Sequence, residues 1–128
     1  MASKVRFFLC KRCGNLVTYL DDMGGKLVCC NEDMTELFPN SNDASLEKHV
    51  PYVKKLVNKL HVQIGTDEHP MLKEHYIKWI ALHTSKGLYI RWLCPSDRPA
   101  AMFRLDVDED PIAVYEYCNL HGLWVKEL

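Results

Sequence analysis

Neither sign of charge dominates this chain: 16 lysines and arginines stand against 17 aspartates and glutamates, a formal net of -1. The balance is local as well, with five charges of each sign in the first 38 residues and eleven basic against twelve acidic in the rest. Without a basic stripe, nucleic acid is not expected as a partner. Long hydrophobic runs are missing too. No uncharged stretch approaches the roughly 18–20 residues that a membrane helix requires. The apolar opening from Val5 to Leu9 is cut short by Cys10 and Lys11-Arg12, too soon for a signal-peptide core. Internal repeats and low-complexity tracts are also absent. A cytoplasmic protein without membrane contact is the expectation. In that reducing setting the six cysteines are expected to hold metal rather than form disulfides.

What is present divides unevenly. Four of the six cysteines, Cys10, Cys13, Cys29 and Cys30, fall within the first thirty residues. The polar run Pro39-Asn40-Ser41-Asn42-Asp43-Ala44-Ser45 then reads as a linker. We therefore expect a small domain at 1–38, a linker at 39–44 and a larger domain at 45–128. So short a first domain buries too little surface to stand alone, and needs a metal, a partner chain or both.

The larger domain reads as all-β. Leu60, Val62 and Ile64 alternate with polar neighbours, as do Phe103, Leu105 and Val107, and Ile112 to Tyr117 continues the pattern. Tyr76 to His83 and Leu88 to Leu93 are further strands, separated by turn residues such as Ser85-Lys86-Gly87 and Asp108-Glu109-Asp110-Pro111. Helical spacing occurs only over Tyr52 to Leu60, where Pro51 and the surrounding valines favour a strand. The sum is a β-sandwich.

Cys10-Lys11-Arg12-Cys13-Gly14 forms a knuckle in which two thiolates grip one ion and glycine permits the tight turn. Cys29 and Cys30 supply a second pair, although adjacent side chains of an extended segment point to opposite faces. The backbone must therefore bend there. Four thiolates in a tetrahedron suit either zinc or a single iron.

The larger domain carries His49, His61, His69, His75, His83 and His121 together with Cys94 and Cys118. Cys118-Asn119-Leu120-His121-Gly122 sets a thiolate and an imidazole three residues apart at a strand end. His69 and His49 sit beside Pro70 and Pro51, which restrict the neighbouring backbone. His61 and His83 fall within strands and are read as ordinary strand residues. Cys94 reads as a small apolar residue or a free thiol. Spacing alone leaves Cys118 and His121 open to a zinc site or a thiol–imidazole nucleophile.

Taken in order, these motifs resemble desulfoferrodoxin, the two-iron form of superoxide reductase. The first 38 residues are similar to its desulforedoxin-like domain, through Cys10-x-x-Cys13-Gly14 and Val28-Cys29-Cys30. The remainder is similar to its neelaredoxin-like catalytic domain. The matching motifs there are Glu47-Lys48-His49-Val50-Pro51, His69-Pro70-Met71, His75-Tyr76-Ile77-x-Trp79-Ile80 and Glu116-Tyr117-Cys118-Asn119-Leu120-His121-Gly122-Leu123-Trp124. The resemblance implies a small β domain whose four cysteines bind one iron, followed by an immunoglobulin-like sandwich of about seven strands. It implies a second iron with His49, His69, His75 and His121 in one plane and Cys118 as axial thiolate. Glu47 and Lys48 are implied to lie on a loop over the open position. The implied activity is one-electron reduction of superoxide to hydrogen peroxide, with a rubredoxin-like electron donor and a homodimer. Two other readings compete: a zinc-bound interaction module, and a dismutase that releases oxygen.

Overall fold

The computed structural model describes residues 4–42 and 49–128, so Glu47 and Lys48 lie outside the described residues, as does most of the linker. The chain divides into two compact units, Ser3–Phe38 and Pro39–Leu128. Among the described residues no helix occurs.

In the smaller unit, β1 (Phe7–Leu9) lies between β2 (Leu16–Thr18) and β5 (Thr35–Leu37), both antiparallel to it. A two-residue hairpin joins β3 (Val28–Cys29) to β4 (Glu32–Asp33). Phe7, Phe8 and Cys10 are its buried apolar residues. The Phe8 ring meets Tyr19 edge-on at 5.4 Å, and the Arg6 guanidinium lies 5.0 Å from the Phe8 ring centre. Arg6 is held there by Asp22 at 2.7 Å and Glu36 at 2.8 Å. So few buried side chains supply little hydrophobic stabilisation, at about 1.5–3 kcal/mol each.

The larger unit is a sandwich of seven strands among the described residues. One sheet has the order β10 (Ala100–Arg104), β7 (Lys59–Ile64), β6 (Pro51–Lys55). The other has β12 (Gly122–Glu127), β11 (Pro111–Cys118), β8 (Ile77–Thr84), β9 (Leu88–Trp92). All pairs are antiparallel, and the chain changes sheet between β7 and β8, again before β10 and again after it. This is the immunoglobulin-like arrangement that the resemblance implied. Its core gathers Leu60, Val62, Ile64, Ile80, Leu82, Phe103, Val114 and Cys118, from alternate positions of facing strands.

Two local expectations differ from the structure. The segment 52–60 is not one strand but two, because the chain turns at 56–58, where the Leu56 N–H donates to the Lys59 carbonyl at 2.9 Å and Val57 is fully exposed. The alternation read through Val107 stops at Arg104, and Val107 too is fully exposed. In both places an apolar residue at the right spacing sits on a turn, where no facing sheet can cover it.

A polar clamp ties the β8–β9 turn to the β10–β11 loop. The buried Glu109 carboxylate accepts hydrogen bonds from the Thr84 hydroxyl, from the Tyr89 hydroxyl at 2.6 Å and from the Asp106 N–H at 3.1 Å. Burial pushes this carboxyl up, but the Thr84, Tyr89 and Asp106 donors outweigh it and hold the pKa below the usual carboxylate value. A depressed folded-state pKa means the ion stabilises the fold above the unfolded value and loses that contribution as pH falls through the folded one. Glu109→Gln is therefore expected to cost about 1–3 kcal/mol in urea unfolding at pH 7. The gap between variant and parent should narrow as the pH drops below about 4.3. A gap independent of pH would show that the charge contributes nothing.

Candidate metal centres

The first centre is built on two tight turns. After Cys10, the Gly14 N–H returns to the Cys10 carbonyl at 2.8 Å with Gly14 at φ +86°, a conformation costly for any other residue. The Asn15 N–H then points at the Cys13 sulfur at 3.5 Å. On the opposite hairpin, Cys30 and Asn31 both take positive φ, +53° and +61°. That pair forms the primed turn expected of a two-residue hairpin. It also resolves the geometry of adjacent cysteines: the left-handed step at Cys30 swings its side chain to the side of Cys29, and the two sulfurs stand 3.9 Å apart.

Cys13 and Cys29 sulfurs are 3.6 Å apart, and all four sulfurs lie within 4.8 Å of one another. A tetrahedron with metal–sulfur bonds of about 2.3 Å has edges of about 3.8 Å, so the spacing fits one ion. The electrostatics favour it as well. The Cys13 N–H, helped by that of Arg12 and opposed by burial, lowers the Cys10 thiol to about 6. The neighbouring sulfurs, Cys10 first, push Cys29 up to about 12, and Cys30 is raised by Cys13 and then Cys10. Once one thiolate forms, the others resist ionising unless a cation enters, so metal binding must release protons.

The second centre draws on three separate stretches of the larger unit. His49 closely precedes β6, His69 and His75 lie on the β7–β8 connection, and Cys118 and His121 flank the β11–β12 turn. Cys118 pairs with Gly122, whose φ of +82° closes that short loop. The donor atoms of all five side chains lie within 4.8 Å of one another. His49 Nε2 stands 3.1 Å from His69 Nε2 and 3.1 Å from His121 Nδ1. The ring contacts run His69–His49–His121–His75 and back to His69, with centroids 4.6, 4.9, 5.1 and 4.8 Å apart and steeply crossed planes. The four imidazoles thus form a closed square. Beneath it, the Cys118 sulfur is 3.8 Å from both His69 Nε2 and His121 Nδ1, the two opposite corners.

A first-row divalent ion bound at about 2.1 Å to imidazole nitrogens spaces adjacent corners of a square about 3.0 Å apart, close to what is found. The donors also point their lone pairs inward. His69 Nδ1 donates to the Pro70 carbonyl at 2.7 Å; a carbonyl only accepts, so Nε2 carries the lone pair and faces the cluster. His49 Nε2 cannot hydrogen-bond well to two nitrogens at once, whereas a cation satisfies all of them. Cys118 is fully buried in the core, His49 and His69 are buried, and His121 is exposed. The square therefore has a protein face toward the thiolate.

Two residues to which the sequence alone assigned no role support this geometry. The Trp124 indole stacks on His49 at 4.6 Å and 13°, while its Nε1–H donates to the His121 carbonyl at 3.1 Å. Asn119 contacts the segment that carries His75. Both lie within the Cys118–Trp124 motif, where an aromatic and an amide beside ligand-type residues were the available signal. His61 and His83 sit in β7 and β8 outside the cluster, and Cys94 is an exposed free thiol.

Comparison with known proteins places these two centres in context. Residues 41–127 match the family described as desulfoferrodoxin, and residues 2–37 match the desulfoferrodoxin N-terminal domain. A desulfoferrodoxin of Syntrophotalea carbinolica is 43% identical over 127 residues, covering 99% of both chains. One from Desulfarculus baarsii is 39% identical over the same length and coverage. The crystal structure of a superoxide reductase from Treponema pallidum superposes with a TM-score of 0.84 at 31% identity, covering 97% of this chain and 98% of that one.

Proposed function

The chain belongs to the desulfoferrodoxin family, and from that membership and its imidazole square we propose that it reduces superoxide to hydrogen peroxide at a His4Cys iron. The observation that carries this reading is the closed square of four histidines over one buried thiolate. These five side chains would hold the iron, and a small anion could approach it from the side of the exposed His121. Iron held there supplies one electron by passing from the ferrous to the ferric state.

The balance is simple: one superoxide, one electron and two protons give one hydrogen peroxide. The electron must be replaced by an external one-electron donor, for which we propose a small rubredoxin-like protein. Neutral imidazoles tolerate the ferrous state, and the Cys118 thiolate pushes charge toward the metal from the core side. His69 holds its metal-facing lone pair because the Pro70 carbonyl fixes its tautomer. Superoxide is an anion, and Lys48, adjacent in sequence to His49, is proposed to attract it and to stabilise developing negative charge. Glu47 is proposed to supply a carboxylate that would cover the centre when its iron is oxidised and would withdraw when it is reduced. Protons come from solvent.

For the first centre we propose iron as the native metal, with zinc able to occupy the same four sulfurs. Its role is structural: it staples a unit with few buried side chains. A homodimer in the cytoplasm completes the proposal.

Radiolytically generated superoxide tests the reading directly. The expected result is one hydrogen peroxide per superoxide with no oxygen released, in the presence of a donor. Oxygen release in step with peroxide would mean dismutation instead, and a colourless, zinc-only protein would mean a binding module. Lys48→Ala is expected to slow the second-order encounter by roughly 5- to 150-fold, the equivalent of about 1–3 kcal/mol. It should also flatten the dependence on ionic strength. An unchanged rate constant would remove Lys48 from the mechanism.

A further inference from the structure

His75 belongs to the square but comes from a connection outside the strand ladders. Its own backbone is tied locally: the Leu72 N–H donates to the His75 carbonyl at 2.8 Å, and the His75 N–H donates to the Leu72 carbonyl at 3.0 Å. Those two bonds close a turn but do not orient it toward the rest of the site. Ahead of the turn, the Met71 carbonyl accepts from the Ser96 N–H at 2.9 Å, and the backbone on either side of His75 is held by Asn119. Its Oδ1 accepts from the Tyr76 N–H at 2.9 Å, its Nδ2 donates to the Glu74 carbonyl at 3.0 Å, and its own N–H donates to the Tyr76 carbonyl at 3.2 Å. One residue thus grips the backbone on both sides of His75. Its amide orientation is unambiguous, because the reverse would set oxygen against oxygen.

The fold supplies the reason Asn119 can do this. The β8–β11 register shifts between Tyr117 and Cys118, so that Cys118 pairs with Ile77 and the chain leaves the ladder one residue later. A bulge of this kind re-aims side chains at the end of a strand. Here it leaves Asn119 between Cys118 and His121, beside the 74–76 segment.

We propose that Asn119 is a positioning residue for the second metal centre, a clasp that sets His75 in register with Cys118 and His121. It holds one corner of the square through backbone contacts and touches neither metal nor substrate. The proposal rests on the metal reading given above. It predicts a consequence for the metal rather than for the fold. With the clasp gone, the Leu72–His75 turn persists but swings as a unit, and the fourth imidazole no longer arrives with the other three.

The test uses the full-length chain with both centres loaded. Ferrous iron affinity at the second centre is measured by chelator competition, and the oxidised centre is examined by electron paramagnetic resonance. Asn119→Ala is expected to release second-centre iron about 10- to 100-fold more readily and to change the symmetry of its resonance, while the four-cysteine centre's visible spectrum stays unchanged. Asn119→Asp keeps the acceptor for Tyr76 but loses the donor to Glu74, and should fall between. A residue that only stabilised the fold would lower the unfolding temperature of the metal-free protein and leave affinity and resonance alone; that result overturns the clasp. Should the alanine variant not fold, parental affinity and resonance in the aspartate variant would overturn it equally. Failure of the superoxide reading would show separately, as parent protein that loads iron at both centres and leaves superoxide untouched.

Discussion

Cys118→Ser is expected to remove the second centre's visible thiolate-to-iron band and to cut superoxide turnover by about two to four orders of magnitude, a loss of about 3–5 kcal/mol of transition-state stabilisation. Serine nearly matches cysteine in size, so the fully buried position at the end of β11 should stay filled and the sandwich should hold. What changes is the donor. A neutral hydroxyl donates far less charge than a thiolate, and it would sit at the apex in place of a sulfur that lies 3.8 Å from two of the imidazole nitrogens. The four imidazoles would still bind a metal, more weakly. Metal analysis, the visible spectrum and pulse-generated superoxide together check this. Parental colour and turnover in a folded, iron-loaded variant would take Cys118 out of the mechanism.

Cys13→Ser is expected to empty the first centre and unfold the Ser3–Phe38 unit while the second centre keeps working. The reason is the imbalance between that unit's few buried residues and what a four-thiolate metal contributes to folding, about 10–16 kcal/mol for small zinc domains. Without the ion, the raised Cys29 and Cys30 thiols stay protonated, and the two turns lose their strongest link, keeping weak ones such as the exposed Arg12–Glu32 pair. The larger unit has its own core, so turnover with an artificial donor should remain within about twofold of the parent, as expected for independent sites. Proteolysis within residues 4–38 together with a preserved second-centre spectrum would support the separation. Loss of turnover with the second iron still bound would instead make the first centre part of the electron path.

The two centres differ in how much of their geometry the residue order reveals. In the first, a knuckle and a pair of adjacent cysteines lie close together in sequence. A bend at Cys30 is the only means by which both members of the pair reach one ion. The positive φ angles at Cys30 and Asn31 are how the chain makes it. In the second, His49 and His121 are separated by most of the domain. No spacing rule joins them, and their ring contact follows from β6 and β12 belonging to opposite sheets whose ends meet.

Residue order alone therefore determined the all-β class and the two cysteine pairs of the first centre, because alternation along a strand and cysteine spacing are local properties, whereas the ligands of the second centre were implied by the likeness to a two-iron family. Val57 and Val107 mark the limit of that local pattern: whether an apolar residue is covered depends on what faces it. Only the folded chain decided that four imidazoles close into a square over one thiolate, that a register shift beside Cys118 frees Asn119 to grip the His75 loop, and that Trp124 seats His49. Those are distances between segments remote in sequence, and they exist only once sheet pairing has brought the segments together.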